Sequence, residues 1–315
     1  MINLLNQNKK IIVNTDLDGI LSALILHNIL NCEVVGFCNS SNTVWIDKRK
    51  TLSIYDCVYI DMFVPLENVG CIDQHIISVN EKHQHNIKKL KNKFNPNLDN
   101  PRFHLPDKSY YLKYPFGTIH YIIAVLESKG IKIELELNNQ LENISLIDIL
   151  LRADDAMQTS VSSNYVSNAK DWWQWMLKLS NNGSTIKAFT DYLSHLKTNE
   201  VALVKKSITQ KLTSAPFNCV SPDGGYKSIA NANGELNENV KLYINFLASL
   251  SKMKTFDLNL TLEPIIGKSK RISLNESQQV ELIEKGTIGN EKIFSYAFVK
   301  SSIKTESFSY TVMPK

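Results

Sequence analysis

The spacing of apolar and polar residues over the first 75 positions predicts a parallel sheet. Short apolar runs at Ile11–Val13, Val34–Phe37, Cys57–Ile60 and Val69–Ile72 read as buried strands, because such runs lack the polar positions of a half-exposed strand. Between the first two lies a helical stretch from Gly19 to Leu30. This alternation implies an α/β fold built on a parallel, Rossmann-like sheet with flanking helices. Residues 81–113 interrupt it with eight Lys/Arg, three Asp/Glu, three histidines and Pro96, Pro101 and Pro106, and read as a long surface excursion. Helices are expected over 117–129 and 139–156, and a helical connector over 187–212. Runs at Phe256–Leu262, Lys292–Val299 and Phe308–Val312 read as strands. Ser273 and Glu276 have capping-box spacing for a helix that stops at Gly286. The expected organisation is a first domain over 1–180, a connector over 181–212 and a smaller α+β domain over 213–315.

Composition narrows the class. The 315 residues are 43% hydrophobic and 21% charged, the profile of a globular chain with ample core. A net charge of +4 proves no nucleic-acid partner, yet it does not repel phosphate-rich ligands. Five cysteines show neither CxxC pairing nor zinc-ligand spacing and read as buried thiols in a reducing compartment. No stretch approaches the roughly 20 apolar residues of a membrane span, and no signal peptide is evident. The expectation is a cytoplasmic protein without a membrane partner.

Acidic residues recur where the predicted strands end. Asp16 and Asp18 follow the first strand, Asp61 the third and Asp73 the fourth. In open parallel sheets the ligand crevice lies at these carboxyl ends. Asp16-Leu-Asp18-Gly19 alone reads equally well as an Asx turn capping a helix. A lone Asp61 is more often a turn residue, and a lone His75 more often a hydrogen-bonded structural histidine. Asp154 and Asp155 end an apolar helical run, where acids oppose the helix dipole unless a cation or Arg152 compensates. Four acidic sites in this order are hard to explain as turn punctuation.

In this order the motifs resemble the DHH phosphoesterase superfamily, with RecJ-type exonucleases, nanoRNases, exopolyphosphatase-like proteins, manganese pyrophosphatases and cyclic-dinucleotide phosphodiesterases among its members. The first motif is similar to Asn14-Thr-Asp16-Leu-Asp18-Gly19, the second to Ile60-Asp61, the third to Ile72-Asp73-Gln74-His75 and the fourth to Leu151-Arg-Ala-Asp154-Asp155. Gly117-Thr118-Ile-His120 resembles the helix start that precedes the fourth motif. The match spans residues 11–156, and its nearest flavour is the nanoRNase and exopolyphosphatase-like branch.

The resemblance implies a hydrolase, a phosphodiesterase or nuclease, with one or two Mn²⁺ or Mg²⁺ ions. Asp16 and Asp61 would hold one ion; Asp18, Asp61 and Asp154 the other, with Gln74 as a further ligand. His75 would contact the scissile phosphate, oriented by Asp73, with Gly117, Thr118 and His120 at the substrate. Asn14 stands where several members carry a histidine, and Gln74 where the family has a histidine ligand. An amide carbonyl binds hard cations without imidazole's affinity for transition metals. That leaves open a Mg²⁺-leaning enzyme, a one-metal enzyme, or a domain that binds phosphates without cutting them; His120 is a candidate stand-in ligand.

The partner implied is a short single-stranded oligonucleotide or a signalling nucleotide, and a homodimer is compatible with it. The alternative is a non-catalytic nucleotide-binding or assembly module with a degenerate metal site. The C-terminal domain resembles only a divergent DHHA1 domain: Asp223-Gly224-Gly225 lacks the family's histidine and reads as a type I′ or II′ turn. The basic, aromatic 82–113 segment suits single-stranded nucleic acid or oligophosphate as well as it suits a solvated loop. Trp172–Trp175 reads as core packing or a domain contact, with base stacking as the alternative.

Overall fold

The computed structural model describes residues 1–314 except 40, 79, 103–111, 154–163, 197, 274–284, 289–290 and 301–305. After α1 (Ile2–Gln7), the chain runs through β1 (Lys10–Asn14), α2 (Leu17–Leu30), β2 (Glu33–Cys38), β3 (Thr43–Asp47), β4 (Val58–Ile60) and β5 (Gly70–Ile72). Then come α3 (Glu81–Lys88), β6 (Lys93–Phe94), α4 (Pro96–Asp99) and α5 (Thr118–Ser128). A hairpin of β7 (Gln140–Leu141) and β8 (Ile144–Ser145) leads into α6 (Leu146–Arg152), α7 (Asn164–Leu179), α8 (Ser184–His195), α9 (Thr198–Thr213) and α10 (Glu238–Ser251). The last strands are β9 (Leu262–Ile266), β10 (Lys268–Ile272), β11 (Thr287–Ile288), β12 (Glu291–Lys292), β13 (Ser295–Lys300) and β14 (Glu306–Val312).

The fold is α/β. A seven-stranded mixed sheet has the order β6-β5-β4-β1-β2-β3-β9, parallel from β6 to β2 and antiparallel at β3 and β9. The four expected strands form its centre. Alternate residues of β1 serve two cores: Ile11 and Val13 face the helices, and Ile12 faces a second cluster on the other side. α2 packs on the first face and is buried almost all round, because α5 and α10 cover it from outside. The second face is covered by α3 and by a three-stranded sheet, β10-β14-β13, whose Tyr296, Phe298, Phe308 and Tyr310 pack against Val35, Ile46 and Tyr59. The expected layer of helices is thus replaced in part by C-terminal strands.

Other expectations meet the structure in different ways. Residues 81–113 are not wholly a surface excursion, since β6 pairs with β5 as an edge strand of the large sheet. The helix expected over 139–156 starts only at Leu146, because Glu142 and Asn143 adopt positive φ (52° and 65°) and turn β7 into β8. From Phe256 to Thr261 the chain forms no strand; β9 begins at Leu262, where it joins the edge of the large sheet. Residues 213–262 contribute to the same core as residues 1–151, through Tyr243, Leu247 and Phe256. Most of the helix expected to end at Gly286 lies outside the described residues. Trp172 and Trp173 are buried, and Trp172 meets Tyr114 edge-on at 5.2 Å, so they form core rather than a stacking platform. No helix among the described residues is long and apolar enough to cross a membrane.

Candidate functional site

Strand order reverses at β1, which has β2 on one side and β4 on the other. A crevice opens at such a switch point outside the carboxyl ends of the strands. There the chain leaves β1 into α2 with Asp16 as N-cap, accepting from Gly19 N at 3.0 Å. A Cβ on Gly19 would stand 2.2 Å from Asn14 O, so only glycine lets this turn close. At the end of β4, Asp61 has φ of 61°, a left-handed conformation that Asp tolerates better than most residues.

Three carboxylates converge. Asn14 Nδ2 bridges two of them, donating to Asp16 Oδ2 at 2.6 Å and Asp61 Oδ2 at 2.9 Å. The first turn of α5 holds the third: Thr118 N and Ile119 N donate to Asp18 at 2.6 and 2.7 Å, and the Thr118 hydroxyl donates to Asp61 Oδ1 at 2.8 Å. Gly117 is pressed between Ala153 O and Asp18, where a Cβ would lie 2.4 and 2.8 Å from them. Burial, and then the neighbouring carboxylates, raise Asp16 and Asp18 well above the usual carboxylate range. Burial also raises Asp61, against the opposing charge of His75. Two buried carboxylates and the half-buried Asp16, which resist ionising together, form a donor set that a hard divalent cation would relieve.

From β5 comes a second group. Asp73 is fully buried; its carboxylate accepts from His75 N at 2.9 Å, from Asn95 Nδ2 at 3.1 Å, and meets His75 Nδ1 at 2.5 Å. This contact assigns Nδ1–H to Asp73 and leaves Nε2 available. Burial alone would lower the His75 pKa, but the adjacent Asp73 carboxylate outweighs it and raises the value to about 10, with Asp61 adding. Ligand atoms of Asp61, Asp73 and His75 lie within 4.8 Å of one another. Asn97 Nδ2 fixes the loop by donating to Gln74 O at 2.8 Å.

These residues open on a cavity of about 350 Å³ lined by Asp16, Asp18, Asp61, Gln74 and His75, together with Phe116, Arg152, Pro222 and Asp223. A second cavity of about 160 Å³ shares Asp61 and His75 and is also lined by Arg271, Ser295 and Ser309. Gly117 and Thr118 hold the carboxylates from behind and do not line either cavity. His120 lies in the core at 4.6 Å from Phe189, its Nδ1 accepting from Gly117 N at 3.1 Å. Burial lowers its pKa to about 3, as expected for a neutral core imidazole. Asp154, the expected fourth acid, lies outside the described residues, as do Phe103, His104, Tyr110 and Tyr111.

Several neighbours of the site escaped the sequence reading. Asn95 and Asn97 were hidden in the segment read as an excursion. Ser221–Gly224 does form a turn, with Gly224 N donating to Ser221 O at 3.1 Å, but Pro222 at its second position excludes the positive φ of types I′ and II′. This turn sits on the first motif: Asp223 O accepts from Leu17 N at 2.9 Å, and Tyr226 N donates to Thr15 Oγ1 at 3.3 Å. Nothing local in the sequence announces a contact spanning some 200 residues. No protein-family model, curated protein or solved structure matches this chain.

Proposed function

We propose that this protein is a divalent-cation-dependent phosphoester hydrolase acting on short oligonucleotides or a signalling nucleotide, in keeping with its resemblance to DHH phosphoesterases. The observation that carries the reading is the convergence of Asp16, Asp18 and Asp61 with the Asp73–His75 pair on one cavity at the carboxyl ends of β1, β4 and β5. Asp16, Asp18, Asp61 and the Gln74 carbonyl oxygen would hold one or two Mg²⁺ or Mn²⁺ ions, with Asp154 as the further acid of the motif series. Bound there, such ions supply Lewis acidity and a deprotonated water near neutral pH. His75, held by Asp73, donates from Nε2 to a phosphoryl oxygen and counters the charge that develops there. Thr118 and Asn14 keep the carboxylates aimed at one point.

The test is turnover of dinucleotides, cyclic dinucleotides, pyrophosphate and polyphosphate with Mg²⁺ and with Mn²⁺. Hydrolysis of one class that is lost in Asp61→Ala supports the reading, and no turnover on any of them sinks it.

One observation favours a non-catalytic binding module instead. Every carboxylate oxygen of Asp16, Asp18 and Asp61 already accepts a hydrogen bond from the protein, so the cluster is partly satisfied without an ion. Calorimetric titration separates the two: one weak site that Asp61→Ala leaves unchanged favours the module.

A further inference from the structure

We propose that Arg152 is the residue that grips the substrate's phosphoryl group, an assignment that rests on the phosphoester reading above. Arg152 ends α6 and lines the same cavity as the carboxylates. Its Nε donates to both Thr209 Oγ1 and Pro222 O, each at 3.0 Å, and the Thr209 hydroxyl donates to the same carbonyl at 3.2 Å. Two segments besides its own helix, α9 and the Ser221–Gly224 turn, thus hold one guanidinium in place. Its terminal nitrogens, Nη1 and Nη2, make no hydrogen bond or ion pair with the described residues.

An arginine that only stapled these segments together would need just its Nε. The remaining pair of parallel donors is a fork that matches two oxygens of a phosphoryl group end-on, and it borders the cavity that contains His75 and the carboxylates. The acids alone would repel a phosphate. A cation held by the acids, with Arg152 and His75 lining the same cavity, would give the anion several positive partners. Because Nε is already engaged, side-on approach is blocked and the fork accepts its ligand in one orientation.

The experiment titrates inorganic phosphate into the full chain by calorimetry with saturating Mg²⁺, after Mg²⁺ binding has been measured alone. Arg152→Gln is expected to keep the Mg²⁺ affinity and weaken phosphate binding about tenfold or more. Arg152→Lys recovers only part of that loss, since an ammonium cannot hold Thr209 and Pro222 while offering a planar fork. Thr209→Val keeps the charge and weakens phosphate binding by a smaller factor; it and Arg152→Lys decide the matter if Arg152→Gln does not fold. Phosphate affinity unchanged in these variants, or no phosphate binding by a wild-type protein, overturns the assignment. Turnover with an indifferent Arg152 leaves the hydrolase reading standing without it. Phosphate binding lost in Arg152→Gln, with no turnover on any substrate, does the reverse.

Discussion

The hydroxyl of Thr118, in the first turn of α5, donates a 2.8 Å hydrogen bond to Oδ1 of Asp61, which leaves the end of β4 with φ of 61°. Both residues are buried, so the donor replaces water that the carboxylate has lost. Thr118→Val keeps the shape and removes the donor. It should destabilise the ion-free protein by about 1.5–3 kcal/mol in urea unfolding, the range for hydrogen bonds to a charged group. An unchanged midpoint would show that Asp61 is not held there.

Asp61→Asn addresses the charge itself. An amide turned so that Oδ1 accepts from Asn14 and Nδ2 donates to the Thr118 hydroxyl satisfies both neighbours without adding a buried charge. The variant should be at least as stable as wild type without divalent ions. Wild type should gain about 2.7 kcal/mol at an ion concentration of about 100 Kd, and the variant should lose that gain. Thermal melts with and without Mg²⁺ check both expectations, and an equal gain in the two proteins would move the ion elsewhere.

Gly117→Ala brings a methyl group against Ala153 O and the Asp18 carboxylate, at 2.4 and 2.8 Å before relaxation. Since Ala153 O is backbone, Asp18 must give way. Stability should fall by about 1–3 kcal/mol, and Mg²⁺ affinity measured by calorimetry should fall with it. Loss of stability without loss of affinity would mean that Asp18 holds α5 and no ion.

His120 predicts an acid-side loss of stability. Its pKa falls from 6.5 in the unfolded chain to about 3 in the fold, so between these values the unfolded chain binds the extra proton. The stability is complete above pH 6.5 and declines as pH falls toward 3, by up to about 1.4 kcal/mol per pH unit. His120→Phe, among Phe116 and Phe189, should lose the hydrogen bond from Gly117 N but show a shallower decline. Urea unfolding at pH 7 and pH 4.5 compares them, and parallel pH profiles would contradict the assignment.

Much of this was legible because it is local. Undivided apolar runs gave away β1, β2, β4 and β5, and the acids that end them are part of the same strings. The apolar spacing of Val240, Tyr243, Ile244 and Leu247 is also a local helical repeat, a signal for α10 present in the sequence itself. By contrast, β7 and β8 look helical in composition, and only the positive φ of Glu142 and Asn143 reverses the chain there.

The sequence by itself determined the central sheet and the order of acids along its carboxyl edge, since both follow from apolar periodicity and from where it stops. Tertiary structure alone decided what surrounds those acids. Asn14 between two carboxylates, Asn95 on Asp73, α5 on Asp18 and Asp61, and Arg152 fastened to Thr209 and Pro222 join residues from 2 to more than 100 positions apart. Such contacts come from packing helices and loops over one sheet edge, and no periodicity along the chain encodes them. His120 makes the same point in the opposite direction: its motif position suggested the substrate, and the rings packed around it made it core.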